Sequence, residues 1–171
     1  RLTSIQHDIP FDVACLLGCA VTTGLGIVFH NAQLLPGQSI LVYGIGGVGL
    51  NVLQGAALVN ASPIVAVDVH DHKLAQARAF GATHVLRADH PQVESELRAL
   101  SGGRGFDVAV EATGLAPVRE LVYRLAGNTG MAILAGVPHH EDRMTIDSFH
   151  LHFGKRLLGV HGGHTKPDVD I

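Results

Sequence analysis

Ser39-Ile40-Leu41-Val42-Tyr43-Gly44-Ile45-Gly46-Gly47-Val48-Gly49-Leu50 changes its hydrophobic period in the middle. Up to Tyr43 the apolar residues are consecutive and partly β-branched, as in a strand covered on both faces. From Val48 onward, Val48, Leu50, Leu53, Ala57 and Leu58 follow a helical period to about Asn60. The glycines between mark a tight strand-to-helix turn.

The same alternation continues downstream. Ile64–Val67 reads as a second buried strand ending in Asp68, and Leu74–Phe80 as a helix closed by Gly81. Thr83–Leu86 is a third strand. Asp89 is expected to cap the next helix, with Pro91 in its first turn and Val93, Leu97 and Leu100 on one face. Phe106–Val110 follows as a strand, then a helix through Val118, Leu121, Val122 and Leu125, a strand at Met131–Leu134, and a sixth at Arg156–Val160. Upstream, Phe11–Ala20 and Thr22–His30 read as helices interrupted near Gly24, before the turn at Pro36-Gly37. Strand alternating with helix implies a parallel sheet with right-handed crossovers. The expected fold class is α/β: a Rossmann-type, doubly wound, parallel six-stranded sheet with helices on both faces. Ligands bind such sheets outside the carboxyl ends of the strands, here Gly44, Asp68, Ala112 and Gly136.

Composition narrows the function classes. With 171 residues, 47% hydrophobic and 16% charged, the chain suits one packed domain, 1–171, and excludes disorder as the default. Twelve Lys+Arg against fifteen Asp+Glu give −3 without a basic stripe, so no nucleic-acid partner is expected. No uninterrupted apolar run approaches a bilayer span of roughly 20 residues, and no leader pattern opens the chain. The expectation is a cytoplasmic protein with no membrane partner. Cys15 and Cys19, a helical turn apart, are too few for a disulfide framework.

Gly44-Ile45-Gly46-Gly47-Val48-Gly49 matches G-x-G-x-x-G between a strand and its helix, the context that gives the motif meaning. Gly44 permits the sharp exit, Gly46 lets a pyrophosphate approach the backbone, and Gly49 allows close packing of helix on strand. The positive helix end then faces the phosphates. Asp68 stands nineteen residues after Gly49, near the spacing expected of a carboxylate on the adenine ribose. It accepts from both ribose hydroxyls and repels a 2′-phosphate, so NAD is expected over NADP. The first cation after it in the chain is Lys73.

Leu16-Leu17-Gly18-Cys19-Ala20-Val21-Thr22-Thr23-Gly24, Pro36-Gly37-Gln38-Ser39, the glycine turn, Asp68 with Lys73, Phe80-Gly81-Ala82-Thr83 and Gly136-Val137-Pro138 agree in order and spacing with one family. Over essentially its whole length the chain resembles the cofactor domain of zinc-dependent alcohol dehydrogenases of the medium-chain dehydrogenase/reductase family. The resemblance implies a cofactor site with the nicotinamide near Thr23 and Val48 and the backbone of Ala135, Gly136 and Val137 against it, Thr113 and His161 being nearby. Gly47 belongs to the same glycine turn. Cys19 matches a thiolate ligand of the family's catalytic Zn2+, which polarises the alcohol oxygen so that hydride can pass to the nicotinamide.

In that family the other zinc ligands, the proton relay and most of the alcohol/aldehyde pocket belong to an N-terminal catalytic domain, which finds no counterpart in this sequence. The expectation is therefore a cofactor-domain fragment without turnover of its own, in which Cys19 binds zinc only in the full-length enzyme. No catalytic residue is expected within it. The family also implies pairing of two such domains, so a homodimer through the edge near 154–163 is expected.

Two other functions fit the glycine turn. A zinc-free quinone or enoyl reductase of the same superfamily is opposed by Asp68 and Cys19, and a non-catalytic NAD(H)-sensing module lacks a visible linker to an effector. Twelve histidines, including His139-His140 and His161-Gly162-Gly163-His164, lack a ligand framework and read as surface or loop residues. The serines lack the G-x-S-x-G elbow of a hydrolase.

Overall fold

The computed structural model describes residues 4–166. Strands β1 (Ile40–Tyr43), β2 (Ile64–Asp68), β3 (His84–Arg87), β4 (Phe106–Glu111), β5 (Ala126–Leu134) and β6 (Arg156–Gly159) form one sheet in the order β3-β2-β1-β4-β5-β6. Every pairing is parallel. That order defines the doubly wound dinucleotide-binding sheet, with its switch point between β1 and β4. The expected fold class therefore holds, including the sixth strand.

β1 and β2 are buried along their whole length, which explains why their apolar residues run consecutively. Even-numbered side chains such as Ile40, Val42, Ile64 and Ala66 enter one core layer, with Val52, Leu53 and Ala56 of the helix Gly47–Leu58. Odd-numbered ones, Leu41, Tyr43, Val65 and Val67, enter the other with Leu97, Phe106, Val122 and Leu125. The period-2 geometry of a strand thus feeds both helical layers from one segment.

The helices are α1 (Phe11–Leu16), α2 (Thr22–Gly26), α3 (Gly47–Leu58), α4 (Asp71–Ala79), α5 (Val93–Leu100), α6 (Ala116–Leu125) and α7 (Phe149–His152). The break expected near Gly24 is not there. α1 and α2 belong to one helical run, Phe11–Ala32, joined through a π turn at Leu17–Val21 and ending in another at Ile27–Ala32. Gly24 is buried inside α2 because α3 crosses over it, and a Cβ there would lie 2.8 Å from the Val48 carbonyl oxygen. The glycine serves a helix crossing, which sequence spacing cannot distinguish from a breaker.

A second correction concerns length. This run has 22 residues, and its most apolar 18 have a mean hydropathy of 1.9, long and apolar enough to cross a membrane by those criteria alone. Asp12, Thr22, Thr23 and His30 interrupt its apolar residues, so the sequence shows no continuous apolar run of that length. Ile27 and Val28 are fully buried in the core of the sheet domain.

Asp89 does not cap α5, whose N-cap is Gln92. Its carboxylate instead receives two hydrogen bonds from Arg87, Nε to Oδ1 at 2.8 Å and Nη2 to Oδ2 at 2.6 Å. A bidentate charged pair outcompetes a single cap bond. The short helix α7 has no counterpart in the sequence pattern, and β5 begins earlier than Met131, at Ala126, beyond a register shift against β4.

Candidate functional site

Gly44 leaves β1 at φ +98°, a conformation that favours glycine. Its own N–H still completes the sheet by donating to the Val67 carbonyl at 2.8 Å. The chain then folds back so closely that a Cβ on Gly49 would collide with the Gly44 carbonyl oxygen. Gly46 differs: a Cβ there would meet nothing within 4 Å. The space in front of Gly46 is open, as an approaching ligand requires. α3 begins at Gly47, with Gly46 as N-cap, and first-turn N–H groups lack intrahelical partners. They form a ready anion site over a 12-residue helix.

Asp68, 7% exposed, ends β2 beside this turn. Its Oδ2 accepts from the Ile45 N–H at 2.8 Å and its Oδ1 from the His70 N–H at 3.0 Å. Lys73 Nζ lies 3.7 Å from Oδ2. The carboxylate is thereby oriented at the glycine turn and partly balanced in charge. A cavity of about 530 Å³ opens here, bounded by Gly44, Gly46, Asp68, Lys73, Asp89 and Thr113 among others. Tyr43 also lines it, and burial pushes its phenol above the ordinary range, with further push from the charges of Asp68 and Asp89.

Glu111 was missed in the sequence. It ends β4 fully buried, and its Oε1 receives the Thr113 hydroxyl at 2.6 Å and the N–H groups of Thr113 and Gly114, the latter at 2.6 Å. Its backbone carbonyl accepts from Ala135 N–H at 2.8 Å and Gly136 N–H at 3.1 Å. One residue thus holds both carboxyl-end turns, after β4 and after β5. Among the described residues Oε2 has no hydrogen-bond partner, and it lies under Gly136, where a Cβ would come within 2.9 Å of it. The only available signal was a carboxylate on the last position of an otherwise apolar strand.

The remaining singled-out residues divide by location. Thr23 is buried on α2, and Val48 sits in the first turn of α3, at the crossing through Gly24. Ala135, Gly136 and Val137 follow β5, with Val137 90% exposed. His161 precedes the short turn Gly162–His164, which packs on α2, and His164 meets Asn31 of the π turn Ile27–Ala32 side chain to side chain at 2.5 Å. These residues lie along the carboxyl edge outside the cavity lining.

Cys15 and Cys19 are exposed free thiols. Among the described residues no group of three or more His, Cys, Asp or Glu side chains is placed to hold a metal. The donor set of a tetrahedral zinc is thus not assembled by these residues, Cys19 offering one thiolate only.

Strand order, glycine turn and acidic strand end together define a dinucleotide-binding domain of the Rossmann type. Residues 47–170 match the family described as "Zinc-binding dehydrogenase", and the chain belongs to that family. It is 34% identical to alcohol dehydrogenase 2 of Zea mays, covering 99% of this chain and 45% of that protein. It is 31% identical to alcohol dehydrogenase class-P of Arabidopsis thaliana, covering 100% and 46%. Among solved structures, benzyl alcohol dehydrogenase from Acinetobacter calcoaceticus superposes with a TM-score of 0.91 at 28% identity, over 98% of this chain and 46% of that one. An alcohol dehydrogenase zinc-binding domain protein from Burkholderia ambifaria gives 0.91 at 29% identity, over 98% and 45%. The chain spans about half the length of the curated relatives it matches.

Proposed function

We propose that this chain is the NAD-binding part of a zinc-dependent alcohol dehydrogenase that passes hydride between an alcohol and NAD. The observation that carries the cofactor is the Asp68 carboxylate, held at the cavity mouth by the Ile45 and His70 N–H groups. Bound NAD supplies the hydride acceptor. Gly46 admits the diphosphate to the backbone, the first turn of α3 offers its N–H groups, and Asp68 accepts from the ribose hydroxyls. Thr23, Val48, Thr113, Ala135, Gly136, Val137 and His161 border the nicotinamide side along the carboxyl edge, and Lys73 reaches the ribose from the other. Glu111 keeps the two turns after β4 and β5 in register.

Cys19 contributes its thiolate to zinc only alongside ligands from other parts of a longer enzyme. The 171 residues alone are inactive in this reading, which covers 1–171 as one NAD-binding domain. The substrate is a small-molecule alcohol, as the names of the relatives suggest, or the aldehyde in the reverse direction. A cytoplasmic setting without membrane or nucleic-acid partners accords with burial of Ile27 and Val28 in the core and with the net charge of −3. Two copies pair through the edge near 154–163, where β6 ends the sheet order with one side open. A monomeric sedimentation profile at high concentration would remove that pairing.

Titration with NADH and with NADPH, followed by nicotinamide fluorescence, tests the cofactor assignment. NADH is expected to bind more tightly; equal affinity for the two overturns the role given to Asp68.

A further inference from the structure

Along the chain, Lys73 is the first cation after Asp68, but the sheet sets a second one, Arg87, in register with it. Asp68 on β2 and Arg87 on β3 are register partners, so their side chains leave the sheet on the same face. A guanidinium beside the ribose-binding carboxylate is what recognition of a 2′-phosphate would use. Here it is already engaged. Asp89 takes it bidentately at 2.8 and 2.6 Å, and Asp71, at the start of α4, takes Nη1 at 2.7 Å. The charges near the ribose end are then three carboxylates, Asp68, Asp71 and Asp89, against two cations, Lys73 and Arg87. A phosphate carrying about −1.5 to −2 charges meets no net positive partner.

We infer that Asp71 and Asp89 are positioning residues for cofactor choice: they hold the Arg87 guanidinium away from a 2′-phosphate and so exclude NADP by a means separate from Asp68. The inference rests on the NAD reading of the cavity and adds a second, independent determinant to it. Asp89 belongs both to the clamp and to the cavity lining, so a change there is felt directly at the ribose end. The pair also holds the Asp89 carboxyl below its ordinary range, through the Arg87 hydrogen bonds first, so both partners stay charged near neutrality.

The test compares NADH and NADPH affinities of the wild-type chain, Asp71→Asn with Asp89→Asn, the same pair with Arg87→Gln, and Arg87→Gln alone. ADP-ribose and its 2′-phosphorylated form, measured by calorimetry, report the adenosine half without the nicotinamide. Freeing Arg87 in the Asn pair is expected to shift the NADPH-to-NADH affinity ratio about tenfold toward NADPH, the scale of one charge-assisted contact. Adding Arg87→Gln is expected to abolish the gain. An unchanged NADPH-to-NADH ratio in the Asn pair overturns the inference, and so does a gain that persists without Arg87, because the effect would then be one of general charge. Asp71 and Asp89 side chains are 81% and 56% exposed, so the Asn pair should melt as wild type does. Failure of the NAD reading is visible earlier, in a wild-type chain that binds neither dinucleotide or both alike.

Discussion

The Oδ2 of Asp68 accepts a hydrogen bond at 2.8 Å from the backbone N–H of Ile45, so the end of β2 is tied directly to the glycine turn after β1. The residue assigned to the ribose therefore also shapes the loop assigned to the diphosphate. Asp68→Ala should weaken NADH by about 1–3 kcal/mol and also lower stability, since two N–H groups lose their acceptor. Asp68→Asn, which retains one oxygen, should recover part of the stability and less of the affinity. Fluorescence titration alongside thermal melts separates the two effects.

Gly46 and Gly49 should respond in opposite ways to the same added methyl group. Gly46→Ala places its Cβ in open space, so stability should change by only a few tenths of a kcal/mol while NADH binding is largely lost. Gly49→Ala drives a Cβ into the Gly44 carbonyl and should destabilise the fold by about 1–3 kcal/mol or more. Denaturant melts with and without NADH distinguish them.

Removing the Glu111 carboxylate strands the Thr113 and Gly114 donors in a buried turn. Glu111→Ala should cost about 2–4 kcal/mol, since each unsatisfied buried group costs about 1–3 and the turn relaxes in part. Thr113→Ala, which removes the hydroxyl that donates to Glu111 Oε1 and accepts from the Leu115 N–H at 3.1 Å, should cost clearly less. Chemical denaturation of both variants checks the ranking.

Glu94 receives Arg98 at 2.8 Å and Arg124 at 3.5 Å, and its carboxyl lies below the ordinary 4.5, chiefly through the Arg98 hydrogen bond. A carboxyl lowered by folding stabilises fully above its unfolded pKa, and that contribution disappears as pH falls through the folded value. The gap in stability between wild type and Glu94→Gln should therefore be widest near about pH 6 and close toward about pH 3. Because Glu94 is 41% exposed, the gap should remain under about 1 kcal/mol. Urea melts across that range, repeated in high salt, give the slope and its screening.

The glycine turn and Asp68 were legible before any coordinates because both follow from local rules: a period change marks the strand end, and a carboxylate ends the next buried strand at a suitable spacing. The six strands were legible for the same reason, being short apolar runs between turn residues. Other features had no local signature. Gly24 looks like a helix breaker unless α3 is known to cross it, Asp89 looks like a cap unless Arg87 is beside it, and Glu111 looks like a solvated strand end until β5 covers it.

What the amino-acid order alone determined, then, was the alternating pattern, hence the doubly wound sheet, its glycine turn and the acid at the end of β2. Only tertiary structure decided that Arg87 stands in register with Asp68, that Asp71 and Asp89 clamp it, and that Glu111 pins two turns at once. The physical reason is one of distance along the chain. Strand periodicity and turn chemistry act between near neighbours, whereas charge pairing and burial depend on which strands the crossovers set side by side.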